Sequence, residues 1–492
     1  MTAMKTGFLD FRLIGYANGL LLVILAAALA SIGFLAKLSQ GSYDIAFVNA
    51  AFLTAFFGGL LIVANKSSLQ PNISIHTGYM LTFSCWVVLA LFSSMPLYFS
   101  NLGLSYTDAM FETVSALTTT GSTVLTGLDT MSHDLLLWRS ILQWLGGIGI
   151  IVMAMALLPM LRIGGMNLFK SESSDISGKI VGRVDYFVKL TACMYIVLTS
   201  VCAMLLHLAG MNWFDALNHA MTTISTGGFS THDNSIAYFD SVWIEIVTIL
   251  FMMAGAMPLV VYVHFLMVRH GDKSMRRYTQ VKGLLGAWLG AIIILSLWNW
   301  LHNSMPLSSA IRATSFNVTS MLTGTGFASA DFSKWGSFGL GVLFFLYFIG
   351  GCAGSTAGSV KIFRWQLLFK GLYGQFVRNL YPNTVVTTHY AGRVVDERIM
   401  HSVRNFLFMF LLTFAFFSLV MMAYGLDFLG GISSVAQAMA NAGPGLTAEL
   451  GPAGNFAHLP DGAKWVLNIV MIIGRLEMFT VYALFVPSFW KY

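Results

Sequence analysis

Long apolar runs recur along the whole chain. They lie near residues 12–36, 47–64, 77–99, 136–161, 185–210, 238–268, 279–301, 335–368, 401–425 and 463–487. A helix that crosses a bilayer needs about 20 mostly apolar residues. The strands of an outer-membrane barrel would alternate over segments of about ten residues instead. Charged residues make up only 10% of the 492 positions, against the roughly 25% typical of soluble domains. A soluble globular protein and a disordered chain are therefore excluded. The expected class is an all-α polytopic membrane protein with ten spans.

Charge sets the expected orientation. Of the 27 Lys and Arg, 21 fall on one set of alternating loops, five on the other, and Arg475 lies inside the last run. The positive-inside rule then places both termini in the cytoplasm. The basic stretches 162–189, 269–282 and 369–404 have two readings, attraction to anionic lipid or docking of a regulatory partner. The run 17–36 is long for a signal peptide and lacks a small-residue cleavage site, so it reads as a retained first span. Cys85, Cys193, Cys202 and Cys352 show no metal-ligand spacing and read as small buried hydrophobes.

Four stretches share one pattern: Phe111–Val124, Ala216–Ser230, Ser315–Ser329 and Val435–Leu446. Each is a short apolar segment that ends in a Thr-, Asn- and Gly-rich turn, with a long run before it and another after. Aligned on Gly121, Gly228, Gly326 and Gly443, the turns are 107, 98 and 117 residues apart. The unit is thus span, short helix, turn, span. Two N-terminal helices (1–70) precede four such repeats, at 71–165, 185–270, 279–370 and 400–492. A helix of about ten residues is some 15 Å long, half of a hydrocarbon core of about 30 Å. Each short helix would enter from outside and stop near mid-membrane.

Irregular backbone at that depth must be buried in protein or face water. Four turns around one axis meet this condition together. Glycine admits positive φ, which can aim successive carbonyls the same way. Rings of carbonyls can replace the hydration shell of a cation. The chemistry indicated is passage of a dehydrated monovalent cation, with no acidic side chain required. The competing reading is close helix packing at small residues.

TTTGS at 118–122, STGGFS at 225–230, GTGF at 324–327 and NAGPG at 441–445 resemble the filter sequences of the Trk/Ktr/HKT superfamily of potassium transporters. WRSILQWLGGIGI at 138–150, GRLEMFTVYALFVPSFW at 474–490 and the two leading spans resemble its TrkH branch. The resemblance implies a single-chain pseudo-fourfold pore, a homodimer with one pore per protomer, and a cytosolic nucleotide-binding partner with RCK-type domains. It also implies potassium uptake across the inner membrane of a bacterium. Carried over, the potassium ion would be held by carbonyls of Thr119, Thr120 and Gly121, of Thr226, Gly227 and Gly228, of Gly324, Thr325 and Gly326, and of Asn441, Ala442 and Gly443. The fourth set departs from the Thr-Gly pattern. In plant relatives a serine at the first filter glycine goes with sodium preference, so Gly121 points to potassium.

The run 335–368 is interrupted by GGCAGSTAGSVK, in which Gly350, Gly351, Gly354, Ser355, Thr356, Gly358, Ser359 and Lys361 disfavour helix. It reads as a flexible break below the filter, and the resemblance implies a gating loop there. The alternative is a packing face of glycines at spacing four. Arg475 is costly inside a span. It reads as a barrier to cations in the pathway, a role the resemblance also implies, or as one half of an ion pair with an acid on another span. Glu477 is too near in sequence to face it on a helix. Asp108, Glu112 and Asp233 read as cation-attracting acids at the mouth, or as solvated or helix-terminal acids.

No HExxH, Walker A, GxGxxG or GxSxG motif is present, and no cofactor is expected beyond the transported ion. Scattered histidines, His389 and His401 among them, suggest no metal site. An intramembrane enzyme would need a paired nucleophile and base. A secondary carrier would show two repeats rather than four. Coupling of potassium movement to protons or sodium stays open.

Overall fold

The computed structural model describes residues 9–40, 44–66, 74–156, 184–259, 261–262 and 279–490. Two long apolar helices open the chain, α1 (Phe11–Gln40) and α2 (Ile45–Asn65). They pack against each other where Gly19 and Gly58 let the backbones approach. Next come α3 (Ile75–Ser93), the short α4 (Met95–Phe99), α5 (Tyr106–Leu117) and α6 (His133–Ala156). The second unit holds α7 (Val184–Leu208), α8 (Trp213–Ile224) and α9 (Val242–Ala256). The third holds α10 (Thr279–Leu301), α11 (Leu307–Thr323), α12 (Gly336–Leu346) and α13 (Ile362–Leu380). The fourth holds α14 (Glu397–Ala423), α15 (Phe428–Ala440), α16 (Asp461–Arg475) and α17 (Phe479–Tyr482). A two-stranded hairpin, His389–Tyr390 with Arg393–Val394, precedes α14.

Lipid is the outer solvent of this architecture. Large apolar side chains such as Phe52, Leu250, Phe345 and Leu419 are more than half exposed. The core sits inside, where the short helices α5, α8, α11 and α15 are almost wholly buried. Three of them pack against a helix of the preceding unit: α8 against α6, α11 against α9, and α5 against α16 of the last unit. Side chains of α12 and α15 share one buried cluster, which closes the circle.

The short helices start where a side chain can satisfy a free N–H. Ser105 Oγ accepts from Asp108 N, Asn212 Oδ1 from Asp215 N and Asp427 Oδ1 from Gly430 N. Pro306 stands at the corresponding place before α11.

The structure corrects the expected spans. Among the described residues, seven helices are long and apolar enough to cross a membrane, eight if one bent pair counts as a single span. The second long helix is continuous only in the first unit. In the others it is cut to 15 residues in α9, 11 in α12 and 15 in α16. The last run bends by 106° between α16 and the segment that starts at Phe479. Of the basic stretches, most of 162–189 and 269–282 lies outside the described residues. Cys193 is exposed rather than buried.

Candidate functional site

The four turns share one backbone design. Each short helix ends with a residue in the left-handed region: Thr119 (φ 52°), Thr226 (φ 52°), Gly324 (φ 72°) and Asn441 (φ 53°). The N–H of the next residue reaches back to a carbonyl five positions earlier: Thr120 to Ser115, Gly227 to Thr222, Thr325 to Ser320 and Ala442 to Gln437, at 2.8 to 3.0 Å. This is the Schellman pattern that terminates helices. Two residues after each left-handed residue the backbone turns left-handed again, at Gly121, Gly228, Gly326 and Gly443 (φ 76° to 88°). Non-glycine residues rarely take this conformation, so its recurrence at Thr119, Thr226 and Asn441 means that the surroundings impose it.

The turns close on one another. A Cβ on Gly121 would overlap the Gly227 oxygen, and one on Gly228 the Thr325 oxygen. A Cβ on Gly326 would lie 2.8 Å from the Ala442 oxygen, and one on Gly443 3.2 Å from the Thr120 oxygen. Each left-handed glycine therefore abuts the carbonyl that precedes its counterpart in the next turn, and the fourth turn returns to the first. The C-terminal ends of four helices converge here and bring partial negative charge with them. Side chains reinforce the seams. Ser122 Oγ lies 2.8 Å from the Gly443 oxygen and 2.9 Å from Gln437 Oε1, and Asn441 Nδ2 donates to Thr120 Oγ1 at 2.9 Å.

On one face of this ring lies a set of ion pairs, some within a unit and some between units. Glu112 and Arg139 pair at 2.8 Å and are both buried. Glu112 also accepts from Val124 N, and Arg139 donates to the Ser230 oxygen and lies over the Phe229 ring. Glu112 is thus neither a mouth acid nor a solvated one: it ties the exit of the first turn to that of the second. Asp108 does stand in the first turn of α5, and Lys464 reaches it at 2.6 Å. Asp233 accepts the N–H groups of Gly127 and Leu128 and so fixes an outer loop. Arg312 pairs with Glu245 at 2.9 Å. His232 bridges Asp129 (2.5 Å) and Asp215 (3.3 Å), and its hydrogen bond holds the Asp129 carboxyl below the ordinary carboxylate value. Sequence reasoning missed the role of Arg139, since 27 residues separate it from Glu112 and no local pattern marks the pair.

Below the ring runs segment 347–361. Helix stops at Leu346 and resumes at Ile362, so the reading of 350–361 as a helical packing face fails for want of a helix. The segment is threaded through the core. Gly350 N donates to the Val360 oxygen and Cys352 N to the Ala256 oxygen, both at 2.9 Å. The Thr356 hydroxyl lies 3.0 Å from the oxygens of Ile224 and Gly255, and 3.2 Å from the Thr226 hydroxyl. A Cβ on Gly358 would strike the Ala440 oxygen. The loop therefore touches the ends of both α8 and α15. Ser355 Oγ donates to the Cys352 oxygen, Ser359 Oγ to the Tyr347 oxygen and Lys361 Nζ to the Ala357 oxygen. Gly351 and Gly354 line the same bend, where Gly354 takes φ 77°.

Arg475 ends α16 and reaches this loop. Nη1 donates to the Thr356 oxygen (2.9 Å) and Nη2 to the Gly146 oxygen (3.1 Å). Among the described residues its partners are carbonyls, and no acid pairs with it there. Glu477 pairs with Arg364 at 2.8 Å, across the bend that follows Arg475.

Comparison with known proteins places this geometry. The family model described as "TrkH: Cation transport protein" matches residues 44–492. The chain is 44% identical to the Trk system potassium uptake protein TrkI of Halomonas elongata over 84% of each chain. It is 36% identical to the Trk system potassium uptake protein TrkH of Escherichia coli K12, over 98% of this chain and 100% of that one. The crystal structure of the potassium transporter TrkH from Vibrio parahaemolyticus superposes with a TM-score of 0.89 at 34% identity, covering 98% and 100% of the two chains. The chain belongs to the TrkH family, a family of multi-span membrane transporters rather than enzymes.

Proposed function

We propose that this chain takes potassium into the cell through the ring of four turns, across the inner membrane of a bacterium, with both termini in the cytoplasm. The observation that carries the reading is the closed contact circuit of Gly121, Gly228, Gly326 and Gly443 with the carbonyls of Gly227, Thr325, Ala442 and Thr120. Alternating left- and right-handed residues turn successive carbonyls toward one side, and a potassium ion exchanges water for these oxygens. Converging helix ends favour the cation without a fixed carboxylate. The loop 350–361 is the gate. It lies directly under the ring, and Arg475 holds it through the Thr356 oxygen while placing a positive charge in the path. Opening requires the loop to leave the ends of α8 and α15. A cytosolic partner with RCK-type nucleotide-binding domains drives that motion in a homodimeric assembly. The relatives named as potassium uptake proteins support the choice of ion.

The test is cation flux in proteoliposomes of the purified chain under a set voltage, comparing potassium, rubidium and sodium. Potassium and rubidium flux well above sodium, without a proton or sodium gradient, is expected. Flux that ignores cation identity overturns the ring as a filter. Dependence on a proton or sodium gradient would replace the channel-like pore with coupled transport.

A further inference from the structure

We infer that Gln143 of α6 is a positioning residue for cation selectivity, acting through the second turn. This rests on the filter reading above. The residue before the ring glycine carries a side chain in three turns, Thr120, Thr325 and Ala442. In the first and third turns its hydroxyl lies 2.7 and 2.8 Å from a second threonine hydroxyl, that of Thr118 or Thr323. Those pairs brace the turn from within. The second turn has Gly227 there and lacks the brace. Gly227 is not among the positive-φ residues, so its backbone does not demand glycine.

Space demands it instead. The amide of Gln143 fills the place where a side chain would stand, and a Cβ on Gly227 would lie 2.5 Å from both Cδ and Oε1 of Gln143. Nε2 donates to the Gly227 oxygen at 2.7 Å, and Oε1 accepts from Phe229 N at 3.0 Å. Gln143 is fully buried. One amide thus clamps the turn on both sides of Gly228. The oxygen it holds is the one that Gly121 abuts, at the seam between the first two turns. An N–H on that carbonyl fixes its direction and draws on electron density that would otherwise go to the ion. The brace of the second turn therefore comes from a neighbouring unit, and the ring is chemically asymmetric at this oxygen.

The experiment measures the potassium-to-sodium flux ratio of the full-length chain in proteoliposomes, with a thermal melt of each variant. Gln143→Met keeps length and volume without the donor, and Gln143→Leu is a second apolar replacement should the first fail to fold. The ratio is expected to fall about tenfold, as for one buried hydrogen bond lost. Gly227→Thr alone should abolish flux by collision with Gln143. Gln143→Ala combined with Gly227→Thr should restore flux and most of the ratio, because a hydroxyl brace like that of the first and third turns then replaces the amide. A ratio that stays at the wild-type value in Gln143→Met or Gln143→Leu, even with a lowered melting temperature, overturns the inference, as does a double variant no better than Gly227→Thr. Gly121→Ser is the control. If it leaves the ratio unchanged, the filter reading itself falls; if it alters the ratio while the Gln143 variants do not, only the role of Gln143 falls.

Discussion

In the orientation proposed above, the outer and inner sides of the ring are fastened by different chemistry. Outside, Asp108–Lys464 and Glu245–Arg312 join units as ion pairs, and the Glu112–Arg139 pair of the first unit reaches the second through the Ser230 oxygen. Inside, the loop 350–361 meets its neighbours mainly through hydroxyls, backbone amides and the guanidinium of Arg475 bonded to carbonyls, and the Arg364–Glu477 pair lies just beyond the loop. Removing one partner of a buried ion pair costs about 3–5 kcal/mol. A hydrogen bond to a neutral group contributes about 1 kcal/mol, and one to a charged group about 1.5–3 kcal/mol. A ring that selects must keep its oxygens fixed, while a loop that gates must leave its contacts and return. The division matches those two demands.

Four perturbations test that division, from the largest expected effect to the smallest. Glu112→Gln leaves the Arg139 charge buried without its partner and should lower stability by about 3–5 kcal/mol, read as a fall in melting temperature. An unchanged melt would show that the outer fastening is not electrostatic. Gly228→Ala places a Cβ against the Thr325 oxygen at positive φ. Backbone strain of about 3 kcal/mol predicts roughly a hundredfold loss of potassium-selective flux, and retained selectivity would sink the closed ring. Arg475→Ala removes two charge-assisted bonds and the positive charge below the ring. Flux should rise about tenfold with the potassium-to-sodium ratio intact; a lost ratio would mean that inner and outer fastenings are one unit.

The smallest effect concerns pH. The His232 hydrogen bond depresses the Asp129 carboxyl below its ordinary value of 3.8. Its contribution to stability is therefore present above that value and is lost as the pH falls through the lower folded one. The difference in melting temperature between wild type and Asp129→Asn should shrink on acidification and with added salt. A difference independent of pH would remove His232 from the outer fastening.

Hydropathy and glycine spacing made much of this architecture legible. Apolar runs mark a helical membrane protein because few soluble folds tolerate so little charge. The alignment on Gly121, Gly228, Gly326 and Gly443 falls on four residues that share positive φ, a backbone property that glycine advertises. The partner of Glu112, 27 residues on along the next long helix, was not legible because no local pattern marks it, and the pairing of Glu477 with Arg364 was not because 113 residues separate them. Gln143 looks like an incidental polar residue in an apolar helix until Gly227 is seen beside it. The Gly-rich break after α12 was legible in its composition, whereas the shortening of α9 and α16 escaped notice because hydropathy does not report backbone regularity.

The circuit of glycines has a consequence for how the protein is made. A chain emerging from the ribosome offers its turns in order, and the first three meet in sequence as Gly121 seats against Gly227 and Gly228 against Thr325. Nothing completes the hoop until residues 441–443 arrive, when Ala442 receives Gly326, Gly443 meets Thr120, and Lys464 follows to reach Asp108. Closure of the ring is thus postponed to the end of synthesis, and a chain interrupted before residue 441 lacks the turn that completes it.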